Sequence, residues 1–251
     1  MIVAAVFAAL FFVVPLVSLI WRAPWTGAWK VLSSREARDA LRLSLETSVA
    51  ATAIAIVFGV PLAWVQARVP YRGRSVVRAI TLLPMVLPPV VGGVALLLAL
   101  GRRGLVGQYL DRIGVHLPFH VFGAVVAETF VAMPFLVLVV EGAFRSADQR
   151  FEDAARTLGA SRFSVFRRVT LPMIRPSLIA GTVLCWARAL GEFGATITFA
   201  GNAQGKTQTL PLFVYVTLEG ANPDAAIVLS LVLVAVSLVV LVSVYRWLSA
   251  P

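Results

Sequence analysis

FEDAARTLGASRFSVFRRVTLP, residues 151–172, is the longest charged segment in a chain that is otherwise apolar for most of its length. Phe151, Ala154, Ala155 and Leu158 recur at i, i+3, i+4 and i+7, which places them on one face of a short helix. Gly159 follows the last of them, where helices stop in a left-handed residue that glycine adopts at little cost. Ser161 is placed to cap a second short helix. Phe163, Phe166 and Val169 give that helix an apolar side, and Arg167 and Arg168 lie towards its C-terminal end, where positive charge is favoured. Pro172 is expected to break it. The product is a small helix-turn-helix with one apolar face free to dock.

What surrounds this stretch is membrane sequence. The 251 residues are 59% apolar and only 14% charged, with mean hydropathy +0.89. Soluble domains run at roughly 45–50% apolar and about 25% charged. The expected fold is an all-α membrane protein of about six transmembrane helices in one domain spanning residues 1–251. The apolar runs place the spans at about 2–21, 46–67, 79–100, 121–141, 175–197 and 224–245, each near the ~20 residues that a bilayer requires. Residues 22–45, 101–120 and 201–222 read as polar connections.

The first run reads as a span rather than a cleaved leader, because it lacks a basic start and a small-residue cleavage site after Trp21. Trp21, Trp25 and Trp29 resemble an interfacial aromatic belt, and Tyr245, Arg246 and Trp247 an anchor at the other end. The net charge of +10 comes from Lys and Arg flanking the apolar runs. That is the pattern of membrane topology, not of nucleic-acid binding. Cys185 is the sole cysteine, so no disulfide forms within the chain, and it reads as a small packing residue.

The loop then supports a family resemblance. Asp153-Ala154-Ala155, Gly159 and Val169-Thr170-Leu171-Pro172 resemble the cytoplasmic loop of ABC importer permeases, which reads Glu-Ala-Ala, three residues, Gly, nine residues, an aliphatic, one residue, Leu-Pro. Asp replaces Glu and Val replaces Ile. The resemblance implies a type I importer permease fold, with Asp153, Ala154, Ala155, Gly159, Val169, Leu171 and Pro172 forming the segment that docks into a groove of a separate ATPase. It also puts this loop and both termini in the cytoplasm. The Lys and Arg counts agree, with twelve on the side of this loop and nine on the other.

Two apparent motifs carry no chemistry. AGNAQGKT, residues 200–207, ends like a phosphate loop, but Ala200 stands where the first glycine belongs. A membrane span precedes it and Pro211 soon follows. ATP is therefore expected on a partner subunit, with no cofactor or metal in this chain. His116 and His120 are separated by Pro118 and lack the glutamate of a zinc helix. Glu128, Glu141 and Glu192 are the acidic residues in or at the ends of spans, and no nucleophile–base pair accompanies them.

ARALGEFGATITFAGN, residues 187–202, is the most informative intramembrane stretch. Arg188 and Glu192 are i, i+4 within the expected fifth span, and ionisable residues there cost several kcal/mol, of order 2.5–3.5 each on insertion scales. They read either as a gate or as an ion pair that fixes packing. Gly191 and Gly194 allow close backbone approach, and Thr196 and Thr198 offer hydroxyls. Pro88 and Pro89 break the third span, which makes it a second candidate for lining the path.

Residues 190–199, 205–211 and 82–93 look like molybdate/tungstate importer permeases, and sulfate permeases share Gly-Glu-Phe-Gly. The resemblance runs from about residue 40 to the end. It implies a permease that moves molybdate, with tungstate as its companion, as a homodimer in the cytoplasmic membrane of a bacterium or archaeon. Its implied partners are cytoplasmic ATPase subunits holding ATP and Mg²⁺, an external oxyanion-binding protein and membrane lipid. The alternatives are a sulfate permease, an ion-coupled secondary transporter and a structural membrane protein.

Overall fold

The computed structural model describes residues 1–248; the side chains of Tyr245 and Trp247, and the anchor expected there, lie outside the described residues. Every regular element described is helical. Helix α1, Ile2–Trp21, buries no residue within the chain, as expected of a helix that is apolar on all sides and faces lipid or another subunit. A short α2, Trp25–Leu32, interrupts the first expected polar connection. Helix α3, Arg35–Arg68, begins where Ser34 Oγ accepts the Ala37 N–H at 3.2 Å. Its 34 residues span about 50 Å at 1.5 Å per residue, well beyond a ~30 Å hydrocarbon core. The start expected at residue 46 falls short because the helix continues through polar turns, where Arg35–Asp39 and Arg42–Glu46 pair at i, i+4.

The third expected span is broken. Helix α4, Arg74–Leu82, follows Gly73 at φ +82 and ends in a 3₁₀ turn at Leu83–Met85. Helix α5, Pro89–Leu100, then leaves at a bend of 117°. Pro84, Pro88 and Pro89 supply no N–H donors, so a continuous helical ladder does not form there. Short α6, Gly107–Arg112, lies in the expected loop 101–120. Helix α7, Val121–Ser146, runs five residues beyond the expected end at 141.

Helix α8, Gln149–Thr157, is capped by Asp148, whose carboxylate accepts the Arg150 N–H at 3.0 Å. Gly159 sits at φ +83, the left-handed conformation that its position called for. Ser161 caps α9, Arg162–Val165, by accepting the Ser164 N–H. Pro172 does not break the helical path. A π-helical turn at Phe166–Thr170 leads directly into α10, Leu171–Leu190. Pro172 falls in the first turn of α10, where its missing N–H matters least, and the wide turn before it absorbs the misfit.

The fifth expected span also ends early. Helix α10 stops at Leu190, and α11, Gly194–Phe199, begins after a break of three residues. Residues 201–222, expected as a polar loop, contain α12, Leu210–Glu219. Ten residues rise only about 15 Å, too short to cross a bilayer. Helix α13 spans Pro223–Leu248. Among the described residues, five helices are long and apolar enough to cross a membrane, or six if α4 and α5 count as one broken span.

The core is α3 against α7 against α10. Ala51, Ala55 and Ala63 of α3 meet Leu136, Val137 and Val140 of α7 and Ile174, Cys185 and Ala189 of α10. Gly59 and Gly181 face α7 so closely that an added Cβ would lie 3.2 Å from Met133 and Leu136 side chains, respectively. Small residues at such crossings let helices approach without the hydrophobic drive that water supplies to soluble proteins.

Candidate functional site

The structure gathers the candidate residues into two places. The first is the loop between α7 and α10. Phe151 on α8 is 61% exposed, Leu158 just past its end 88%, and Phe163 of α9 71%. Ala154 is exposed beside them and Ala155 is half-buried. This apolar surface is uncovered within the chain. Asp153 points outward and accepts a hydrogen bond from Arg156 Nη1 at 3.2 Å. Val169 and Leu171 are half-buried and Pro172 is exposed at the root of α10.

What fixes α8 is a residue that the motif passes over. Glu152 is buried, and its Oε1 receives Arg68 Nη2 at 3.3 Å and Thr170 Oγ1 at 3.0 Å. Arg156 Nη2 approaches its Oε2 at 3.6 Å. Arg68, at the end of α3, also donates to the Ala147 carbonyl at 3.3 Å. One carboxylate therefore ties α8 to α3 and to the π-turn that starts α10. Trp64, Arg162 and Phe166 join these groups around a pocket of about 480 Å³. The sequence held one signal for this role: Glu152 and Arg156 are i, i+4 and lie off the Phe151–Leu158 stripe.

The second place is where the broken spans meet. Gly194, at the start of α11, packs on the start of α5, and an added Cβ would sit 2.8 Å from Pro89 Cβ and 3.2 Å from Val90 N. Gly93 of α5 reciprocates, with its Cβ position 2.6 Å from Thr198 Cβ and 2.9 Å from the Ala195 carbonyl. Pro89, Gly93, Gly194 and Thr198, drawn from two separate stretches of sequence, thus form one junction, and Pro88 stands just before it as the residue preceding α5. Gly191 is not part of this close packing; an added Cβ there meets only the Ala187 carbonyl at 3.6 Å.

Arg188 and Glu192 pair at 2.6 Å, with the arginine partly exposed and the carboxylate buried. They do not share one helix face, because α10 has ended before Glu192. The glutamate instead bridges the break. Its Oε1 accepts the Ala195 N–H at 2.8 Å while its Oε2 faces Arg188. It thereby satisfies an amide at the start of α11, which a helix terminus leaves open. Thr198 Oγ1 donates to the Gly194 carbonyl at 2.8 Å. The Thr196 hydroxyl is buried without a partner. On α7, Glu128 is buried and accepts a hydrogen bond from Thr47 of α3 at 2.8 Å.

The apparent motifs have other employment. Residues 200–207 form a turn, with Gly201 and Gly205 at positive φ and the buried Thr207 hydroxyl accepting the Ala203 N–H at 2.9 Å. His116 pairs with Asp111 at 2.8 Å, whereas His120 caps α7 through Nδ1. Among the described residues, no three His, Cys, Asp or Glu side chains cluster as metal ligands.

Comparison with known proteins agrees with this architecture. Residues 55–250 match the family model described as binding-protein-dependent transport system inner membrane component. The molybdenum transport system permease protein ModB of Mycobacterium tuberculosis is 47% identical over 242 residues, covering 96% of this chain and 90% of that protein. The sulfate transport system permease protein CysT of Salmonella typhimurium is 34% identical over 241 residues, covering 95% and 87%. Among solved structures, a bacterial alginate ABC transporter in complex with its alginate pentasaccharide-bound periplasmic protein superposes with a TM-score of 0.78. It covers 97% of this chain and 90% of that one, and at 19% identity the likeness is one of fold.

Proposed function

Because the chain belongs to the binding-protein-dependent transport inner membrane components, we propose that it is the permease through which an ATP-driven importer moves molybdate, and tungstate with it. As a member of that family it is a multi-pass inner-membrane permease that binds no cofactor and performs no catalysis; ATP belongs to its ATPase partner. Permeases of this type associate with ATPase subunits and a periplasmic binding protein.

The observation that carries the reading of coupling is the two-sided α8. Its buried side is held to α3 and α10 through Glu152, and its apolar side is open. A subunit seated on Phe151, Ala154 and Leu158 gains roughly 1.5–3 kcal/mol for each large apolar side chain that it covers. Movement of that subunit then reaches both spans through one carboxylate. The functional unit is one transmembrane domain formed by the whole chain, working as a homodimer with both termini and residues 151–172 in the cytoplasm. The two copies enclose a water-filled route, since a bare dianion in hydrocarbon is prohibitive.

Within this reading, Pro88, Pro89, Gly194, Thr196 and Thr198 belong to a gate at the junction of α5 and α11, and the Arg188–Glu192 pair holds it without trapping substrate. Gly191 contributes the end of α10. The choice of molybdate over sulfate rests on identity to the molybdenum permease of 47% against 34% for the sulfate permease over nearly the same length. Deletion of this gene in its host tests it. High-affinity molybdate uptake by intact cells is expected to vanish, with sulfate uptake unchanged. Loss of sulfate uptake with molybdate uptake intact would transfer the reading to sulfate.

A further inference from the structure

We propose that the groove between α4 and the end of α7 binds the phosphate of an anionic phospholipid, in the leaflet on the side of the coupling loop. The groove encloses about 600 Å³ and is lined by Arg74, Ser75, Arg78, Ala79, Leu82 and Arg145. Its position follows from connectivity, since Arg145 lies in the last turn of α7 and α8 begins three residues after that helix ends. Two of its arginines pair with Glu141, which is fully buried, with Arg78 Nε 3.1 Å from one oxygen and Arg145 Nη2 2.5 Å from the other. Each oxygen faces an arginine, Oε1 through a hydrogen bond from Arg145 and Oε2 through an ion pair with Arg78 that lacks hydrogen-bond geometry, and both arginines remain about two-fifths exposed. Among the described residues, Arg74 pairs with no carboxylate. Its Nη2 donates to the Ala67 carbonyl at 3.2 Å, and its buried Nε has no hydrogen-bond partner. Three guanidinium groups against one carboxylate leave an excess of positive charge with unused donors, and guanidinium forks match phosphate oxygens.

The apolar half of the argument selects lipid over a free anion. Along α4 the groove passes from Arg74, Ser75 and Arg78 to Ala79 and Leu82 one turn further on, so charge gives way to hydrocarbon. A phospholipid has that order of groups and an inorganic anion does not. On its other face α4 exposes Val76, Val77 and Ile80, so the helix itself lies against apolar surroundings. Basic pockets between helices on the cytoplasmic side are where acidic headgroups bind.

The test is native mass spectrometry of the intact transporter in detergent, supplied with equimolar phosphatidylglycerol and phosphatidylethanolamine. The wild type is expected to retain phosphatidylglycerol at least threefold over phosphatidylethanolamine. Arg74→Gln leaves the two partners of Glu141 in place and is expected to abolish the preference, whereas Arg74→Lys keeps most of it. Leu82→Trp fills the apolar end without changing charge and is expected to lower retention as well; it decides the matter if Arg74→Gln does not fold. Equal retention of the two lipids by the wild type, or an unchanged preference in Arg74→Gln, would overturn the proposal. So would millimolar inorganic phosphate displacing the retained lipid completely, which would mark a free-anion site.

Discussion

The loop at 149–172 and the junction of α5 with α11 are both built on small residues and a buried glutamate, but they use them in opposite ways. In the loop, Ala154 and Ala155 face outward or sit half-covered, and Gly159 has no atom within 4 Å of its Cβ position. Its small residues leave a surface clear. At the junction, Gly93 and Gly194 are filled against by Thr198 and Pro89. Those small residues let two broken helices touch. Glu152 secures its helix to distant elements through Arg68 and Thr170, whereas Glu192 stays local and ties Arg188 to the start of α11. The proposed roles fit this difference: a transmitter needs a rigid root and an open face, and a gate needs tight contact that a small shift can undo.

Glu152→Ala breaks the contrast most strongly. It takes the carboxylate from Arg68, whose side chain is only 9% exposed and keeps the Ala147 carbonyl alone, and losing one partner of a buried pair costs about 3 kcal/mol. ATP-driven uptake is expected to fall at least tenfold while the bundle stays folded. Hydrogen exchange is expected to speed up across 149–158 and to remain unchanged in α3 and α7. Equal protection of the loop in variant and wild type would show that Glu152 is not its anchor.

Gly194→Val tests the other side of the comparison. Its Cβ would lie 2.8 Å from Pro89 Cβ, an overpacking worth about 1–3 kcal/mol. The thermal midpoint of the purified permease is expected to drop, and transport with it, without loss of the bound ATPase. A variant with wild-type stability and uptake would mean that α5 and α11 do not pack in the working protein.

Gly159→Val is the mildest of the three. Nothing crowds the position, so the cost is the left-handed backbone alone, about 1–2 kcal/mol. Uptake is expected to fall severalfold through misdirection of α8, with the thermal midpoint lowered less than in Gly194→Val. A midpoint shift as large as that of Gly194→Val would erase the distinction between the two regions.

The two regions also differ in how far the sequence revealed them. The loop is local: the Phe151–Leu158 stripe, the left-handed Gly159 and the Ser161 cap are each decided within a few residues, and all three stand in the structure. Pro172 misled because the π-turn before it depends on the chain continuing as a membrane helix. Glu152 was passed over because its partner Arg68 is 84 residues away. The break after Leu190 was hidden because residues 193–199 remain apolar, and hydropathy does not register a change of direction. Helix α12 was hidden for the converse reason, a short apolar run headed by Pro211 between two polar turns.

On the proposed function, the exposed face of α8 carries the ATPase while its buried face carries the signal. Co-purification with a Phe151→Asp, Leu158→Asp double variant measures this directly. Both side chains are exposed, so the permease is expected to fold and extract from the membrane as the wild type does, but without its ATPase subunits and without ATP-driven molybdate uptake. A double variant that still carries the ATPase in wild-type proportion and still drives uptake would contradict the account.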